Sequence, residues 1–352
     1  VTRSLFSHLS WLYVGLIALW LVLRAIFFDQ IWWLALLNTC AFYLFLPLPA
    51  LLPASVWRRH WALVVGLSIL TAIFFAWFGT LVLPKPSSLH TSDATITVMT
   101  FNVLTSNKDT DALVQAIHAA QPDILGIQEL TSGKRAALSA GLHHELPYNT
   151  FDSPNSFGNV GLMTRFPIEI AQPITLPTTQ PALYARLRAH GQQLHVFVAH
   201  LTPNHLFKNS AIDLETAASH AFARRAAEIA FLRNELHRVG EPALLLCDCN
   251  LTDTSQAYAE LSSFLSDSFR DAGWGLRNTN YASYISLPLQ RIDYVWHSAG
   301  LSTITAVVGQ AGGSDHLPVV VGLKFSIGSQ QPVGSLPTAG CWLLLCSLAR
   351  VA

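Results

Sequence analysis

An aspartate and a histidine stand side by side in Ser314-Asp315-His316-Leu317, followed by Pro318 and an apolar run over 318–323. At the start of a strand the two can do different work, the carboxylate toward a cation and the imidazole toward a proton. Four further segments share this form: Thr100-Phe101-Asn102-Val103, Ile127-Gln128-Glu129-Leu130, Cys247-Asp248-Cys249-Asn250 and Arg291-Ile292-Asp293-Tyr294. Each sets a carboxylate or amide at or just past the end of an apolar, strand-like stretch. With His200 closing the run 194–199, they are the parts for metal-assisted hydrolysis of a phosphoester.

A hard divalent ion takes oxygen ligands, and Mg²⁺ keeps several waters beside one or two carboxylates. Glu129, closing the strand 124–128, is a candidate for such a carboxylate. Asp248 and Asn250 are two apart on an extended strand end, so both are expected to face a cleft. A carboxylate bonded to one imidazole nitrogen holds the tautomer and raises the pKa of the ring, which suits His316 to proton transfer or to charge stabilisation. Plainer readings stand beside these. Asn102 could cap a turn, Glu129 could be a surface carboxylate, and Asp248 with Asn250 could be a turn after a strand. Arg165 reads as an outward structural residue or a phosphate contact, and Arg224 and Arg225 as a solvated helix face.

These residues need strands to hold them. The pattern predicts strands over 96–101, 124–128, 160–164, 194–200, 243–247, 292–297 and 318–325. Helices are expected over 110–120, stopped by Pro122, and over 215–236. Helices alternating with strands early, and strand pairs later, suggest a layered α/β domain.

Ahead of it lie three apolar runs, 9–28, 31–52 and 61–83, each near the ~20 residues that cross a bilayer. Tryptophans 11, 32, 33, 57 and 61 sit near their ends, as an aromatic belt requires. A signal peptide has one such run, not three. Arg3 precedes the first span and Arg58, Arg59 and His60 fill the second loop, which places the N-terminus in the cytoplasm and everything after Leu83 outside. Arg24 and Lys85 count against that orientation. The chain is thus expected to be integral to a plasma or inner membrane, with an anchor at 1–90, a catalytic domain at 91–326 and a tail at 327–352. Residues 84–88 read as a short linker, and the apolar stretch 341–349 is too short to span.

Of the 21 basic and 21 acidic residues, Arg3, Arg24, Arg58, Arg59 and Lys85 lie in the first 90 with Asp29 as their acidic counterpart, so the remainder is slightly acidic. That disfavours a bulk nucleic-acid binder. Five cysteines form neither a disulfide framework nor a zinc pattern, and Cys247 and Cys249 are not expected to pair easily. Few polar groups and no paired charges in the spans argue against a transporter. The chain begins at Val1, which fits either a literally translated start codon or a fragment.

Taken in order over 96–325, the motifs resemble the endonuclease/exonuclease/phosphatase superfamily, to which deoxyribonuclease I belongs. The family's Gly-Asp-Phe-Asn is here Cys247-Asp248-Cys249-Asn250, which keeps Asp and Asn and changes the backbone and packing positions. The resemblance implies an α/β (α+β) four-layer sandwich of two mixed β-sheets flanked by helices, preceded here by three transmembrane helices. It implies one cleft with one or two Mg²⁺ or Mn²⁺ ions, held through Asn102, Glu129 and Asp315. It gives Asp248 the attacking water and Asn250 the phosphate or nucleophile. Asp293 and His316 correspond to the family's dyad, and His200 to its other cleft histidine, a phosphate ligand or general acid. The expected partners are the bilayer and a phosphoester, either nucleic acid or a lipid head group, and no protein partner is predicted. The contrasting expectation is a catalytically inactive binding or scaffold domain, but such relatives usually lose the metal carboxylates or the dyad, and all are present.

Overall fold

A computed structural model describes residues 2–85, 95–152, 159–203, 213–281 and 288–326. Five helices come first: α1 (Thr2–Phe27), α2 (Trp32–Thr39), α3 (Ala41–Leu44), α4 (Leu48–Trp57) and α5 (Trp61–Val82). Then follow β1 (Thr95–Asn102), α6 (Thr110–Ala120), β2 (Ile124–Leu130), α7 (Ser132–Gly141), β3 (Tyr148–Phe151), β4 (Asn159–Thr164), β5 (Ile168–Thr175), β6 (Pro181–Ala189) and β7 (Gln192–His200). The chain continues through α8 (Leu214–Val239), β8 (Ala243–Asp248), α9 (Gln256–Leu261), β9 (Ser266–Asp267), α10 (Ser268–Ala272), β10 (Asn280–Tyr281), β11 (Pro288–Gln290), β12 (Asp293–His297), β13 (Leu301–Val308) and β14 (Val319–Phe325).

Two six-stranded sheets carry the fold, in the orders β13-β14-β1-β2-β4-β3 and β5-β6-β7-β8-β12-β9. Both are mixed: β1 runs parallel to β2 and β7 to β8, and the other pairs are antiparallel. Alternation along each strand sends one set of side chains between the sheets and the other outward. Val98, Leu162, Val321, Val196, Leu246 and Val295 fill the space between them. Met99, Phe101, Leu125 and Ile127 point outward onto Leu113 and Ile117 of α6 and Leu138 of α7. Phe197, Leu245 and Trp296 point the other way onto Ile229 and Leu232 of α8 and Tyr258 of α9. The result is the expected order of layers: helix, sheet, sheet, helix. Gly126 marks how closely the sheets meet, because a Cβ there would lie 2.8 Å from that of Leu246.

Each half of the sandwich is capped locally by its own sequence. Asp109 accepts from the Ala112 N–H at the start of α6, and Asp213 from the Thr216 N–H at the start of α8. Gln121 takes the left-handed conformation just before Pro122 and closes α6.

Among the described residues, Leu5–Phe27 and Trp61–Val82 are helices long and apolar enough to cross a membrane. The second apolar run is not one straight rod. Trp32–Thr39 and Ala41–Trp57 are bent by 76°, which makes three crossings if the pair counts as one. The break falls at Cys40, just after Asn38, and a second interruption follows at Pro47. Asn38 is buried, accepts from Trp20 Nε1 at 3.0 Å and donates to the Phe28 carbonyl and to Asp29 Oδ1. Pro47 and Pro49, without N–H groups, open a new helix rather than continue the old one.

The far end of the helices is basic: Arg58 lies over the Phe6 ring at 4.4 Å, and that ring stacks on His60. The near end docks on the sandwich. Arg24 Nη2 donates to the Thr254 carbonyl at 2.7 Å, and the Gln256 N–H donates to Asp29 Oδ2. Arg270 Nη1 donates to the Trp77 carbonyl at 2.7 Å, the Gly275 N–H to that of Leu81, and Lys85 Nζ to that of Arg270. Linker residues 86–88 and the tail at 327–352, with Cys341 and Cys346, lie outside the described residues.

Candidate active site

Strand register brings the charged residues together. His200 aligns with Asp248 across β7 and β8, and Asp248 with Asp293 across β8 and β12. In the facing sheet, Asn102 ends β1 beside Gln128 of β2, and His316 lies just before β14, the antiparallel neighbour of β1. All these groups therefore stand at one end of the sandwich.

Asn102 joins the two sheets. Its Nδ2 donates to Asp248 Oδ2 at 2.9 Å and to Glu129 Oε1 at 3.2 Å, and its Oδ1 accepts from the Leu104 N–H. Glu129 is not a regular strand residue. The β2–β4 register shifts between Ile127 and Leu130, and Glu129 has φ 57°, which turns its carboxylate toward the Thr105 N–H at 2.7 Å. A non-glycine residue in that region is strained and must be held by its surroundings. Burial works to raise the Glu129 pKa, but the Thr105 N–H, His200 and the Asn102 amide outweigh it and hold the carboxyl below its ordinary value. Lys134, buried and donating to the Thr105 carbonyl at 2.8 Å, adds positive potential behind it.

The dyad is formed. His316 Nδ1 lies 2.9 Å from Asp293 Oδ2, and both residues are buried. Burial pulls the His316 pKa down, but the carboxylates of Asp293 and Asp248 outweigh it and push the value well up. Asp293 is also raised, by burial against the pull of His316, so at neutral pH the proton of the pair sits on the imidazole. Asn280, which the sequence reading missed, holds the other ring nitrogen: its side-chain amide is 2.9 Å from Nε2. Ser314 fixes the approach, donating to the Asn102 carbonyl at 2.7 Å and accepting from the His316 N–H. Asp315 is half-buried, within electrostatic reach of Glu129 and Asp248, and burial raises its pKa.

Asp248, Asp293 and His316 offer ligand atoms within 4.8 Å of one another. That closeness is largely the dyad itself, and both ring nitrogens of His316 are engaged. Oxygen donors on the Glu129 side therefore suit a hard ion better than this imidazole does.

Asn250 and Asp248 do meet, but not by strand alternation. β8 ends at Asp248, the Cα atoms of Cys247 and Cys249 are 5.0 Å apart, and Asn250 has φ 50°. This turn, shorter than the pleat of an extended strand, also joins Cys247 to Cys249, a pairing the sequence reading disfavoured. It leaves the Asn250 N–H 3.1 Å from Asp248 Oδ1 and sends its Nδ2 to the Leu201 carbonyl. His200 Nε2 is 3.5 Å from Asp248 Oδ2.

Three arginines are structural in different ways. Arg165 pairs with Asp123 at 2.8 Å and is half-exposed, away from the cleft groups. Arg225 is not on a solvated face. It is 2 % exposed and donates to the Thr202 carbonyl at 2.9 Å, while Glu228 accepts from Thr202. Arg291, next to Ile292 and Asp293, is buried and grips both carboxylate oxygens of Asp267, at 3.0 and 2.7 Å. Replacing Arg291 with Met is expected to cost about 3–5 kcal/mol, because Asp267 is left as a buried unpaired charge. The check is the thermal midpoint of the full chain in detergent, with Asp267→Asn/Arg291→Met restoring part of the loss. An unchanged midpoint in the single variant would show that the pair does not hold this end of β12.

Two mixed sheets face to face, flanked by helices and carrying carboxylates and histidines at one end, define a phosphoesterase-type sandwich. The model of the Endonuclease/Exonuclease/phosphatase family matches residues 99–316, and the chain belongs to that family, whose members are phosphoester hydrolases. The endonuclease/exonuclease/phosphatase from Bacteroides vulgatus superposes with TM-score 0.55 at 19% identity, covering 66% of this chain and 99% of its own. The human Nocturnin catalytic domain with bound sulfate gives 0.53 at 19% identity, over 68% and 96%. A mannosyl-6-phosphatase of Bacteroides thetaiotaomicron gives 0.51 at 18%, over 65% and 100%. These likenesses show the fold. No curated protein matches the sequence.

Proposed function

We propose that the chain is a membrane-anchored, divalent-metal-dependent phosphoesterase whose cleft faces away from the cytoplasm. The observation that carries this is the meeting of Glu129, Asn102, Asp248, Asp293, His316 and His200 at one end of the two sheets. The residues fit a hard cation. Glu129 is ionised, Asn102 and Asp315 add oxygens, and the buried Asp315 Oδ1 has no hydrogen-bond partner among the described residues. Mg²⁺ or Mn²⁺ held by Glu129, Asn102 and Asp315 would supply charge neutralisation on the phosphoryl oxygens.

The other roles belong to the chain. Asp248 orients the attacking water and accepts its proton as the new P–O bond forms. Asn250 holds the phosphate or the nucleophile. His316, oriented by Asp293, sets positive charge against the pentavalent phosphate. His200 donates to the phosphate or to the leaving oxygen as the old P–O bond breaks. In the full-length chain in detergent, EDTA is expected to abolish hydrolysis of a small chromogenic phosphodiester and Mg²⁺ or Mn²⁺ to restore it. Full activity in excess chelator would sink the mechanism.

The orientation follows from charge. Arg58 and Arg59 lie at the helix end away from the sandwich, which favours a cytoplasmic loop there. Arg24 and Lys85, which count the other way in the sequence, are engaged by the sandwich. A reporter that matures only outside the cytoplasm, fused after residue 326, is expected to be active. Activity from a cytoplasmic reporter alone would reverse the topology.

A further inference from the structure

A cavity of about 410 Å³ lies where the anchor meets the sandwich, and its wall is shared between the two. Asp29 and Trp32 come from the anchor, Phe222, Arg225 and Ala226 from α8, and Asn250 from the turn that follows Asp248. Its size is within the ~300–1,000 Å³ of small-molecule sites, with room for roughly a dozen methylene-sized groups at about 30 Å³ each. It opens beside the exit of α1, where Asp29 ends the first span, and much of its wall is apolar.

From this we propose that the cavity is a substrate subsite for a membrane lipid phosphoester, taking the glycerol region and first methylenes while the phosphate reaches the cleft past Asn250. The inference rests on the phosphoesterase reading above and names its substrate class. Three observations favour a lipid over a nucleic-acid strand. Trp32 and Phe222 offer apolar faces beside the anchor. Among the described residues of the wall the one cation, Arg225, is accompanied by Asp29 and Glu260, so that lining lacks the basic excess that holds a polyphosphate. Asp29, Gln30 and Trp32, which follow directly on the apolar helix Leu5–Phe27, also form part of the wall, so a lipid held by that helix's surroundings would need only partial withdrawal. Arg225, with Nη1 on the Thr202 carbonyl, ties the wall to the loop after His200.

The test uses the full-length chain in phosphatidylcholine nanodiscs containing phosphatidylglycerol with a photoactivatable diazirine in one acyl chain. Illumination is expected to label peptides carrying residues 219–226 and 250–257, besides the lipid-facing sides of α1 and α5. Ala226→Trp and Ala223→Phe fill the cavity from exposed positions on α8. Each is expected to cut the first labelling by about tenfold or more, and to lower by a similar factor the ratio of kcat/KM for lipid over a small chromogenic phosphodiester. Labelling confined to α1 and α5, or cavity labelling that neither variant reduces, overturns the proposal. Cleavage of a single-stranded oligonucleotide without cavity labelling also overturns it, in favour of a nucleic-acid substrate. Cavity labelling that the variants reduce, with no phosphoester cleaved in Mg²⁺ or Mn²⁺, leaves the lipid site standing and refutes the hydrolase reading instead.

Discussion

Asp293→Asn and His316→Ala are each expected to slow turnover by at least ~10²-fold, the usual loss when a preorganised electrostatic contact to the transition state is removed. The double variant should be little worse than the more damaged single one. The reason is geometric. The two side chains share one hydrogen bond of 2.9 Å, so removing either removes the same interaction, and the losses cannot add. Folding should survive, because the dyad stands at the ends of the sheets and the apolar layers lie behind it. A double-mutant cycle on kcat, with circular dichroism as the folding control, decides the matter. Additive losses in folded proteins would make the two residues independent, and near-wild-type turnover in either single variant would remove the dyad from the mechanism.

Glu129→Gln is expected to lower kcat/KM by about 10²–10³-fold, comparable to the loss of a principal electrostatic contact in an active site. It should also raise the Mg²⁺ concentration needed for half-maximal rate. Glutamine keeps the shape of the side chain and the bulge in β2 but removes the charge that Thr105 and Asn102 stabilise. Activity is titrated with Mg²⁺ and Mn²⁺ in parallel. A large loss of rate with an unchanged metal requirement would keep Glu129 in the reaction but exclude it as an ion ligand.

Much of this was legible in the sequence, for physical reasons that differ by residue. The buried strands β1, β2, β7, β8, β12 and β14 are short apolar runs with a polar site residue at or close to one end, so both the strands and their site residues could be read together. α6 was readable to the residue, because an Asp cap and a following proline bound it. β5 and β6 were not read: β5 is largely exposed, so its apolar signal is weak. Asn280 was invisible because an isolated bridge to His316, not a motif, places it beside the imidazole. Arg225 misled because charge usually means solvent, whereas here Glu228 and the Thr202 carbonyl make burial tolerable. The bend in the second apolar run was not read, because its hydropathy describes one span over 31–52. What hydropathy could not convey is that Asn38 is needed where it is, bonded to Asp29 and Trp20.

The hydrogen bonds that join Arg24, Asp29, Tyr43, Trp77 and Leu81 to the sandwich have a consequence for how such a protein would search for its target. A domain on a flexible tether sweeps a volume and can choose its own height and tilt. One docked rigidly on its helices cannot. In a bilayer its mouth would ride at one altitude, facing one way, and encounters would be governed by lateral diffusion in a plane. Reach would then be set by how fast neighbours drift past, and surface density, rather than bulk concentration, would be the variable to which its rate responds.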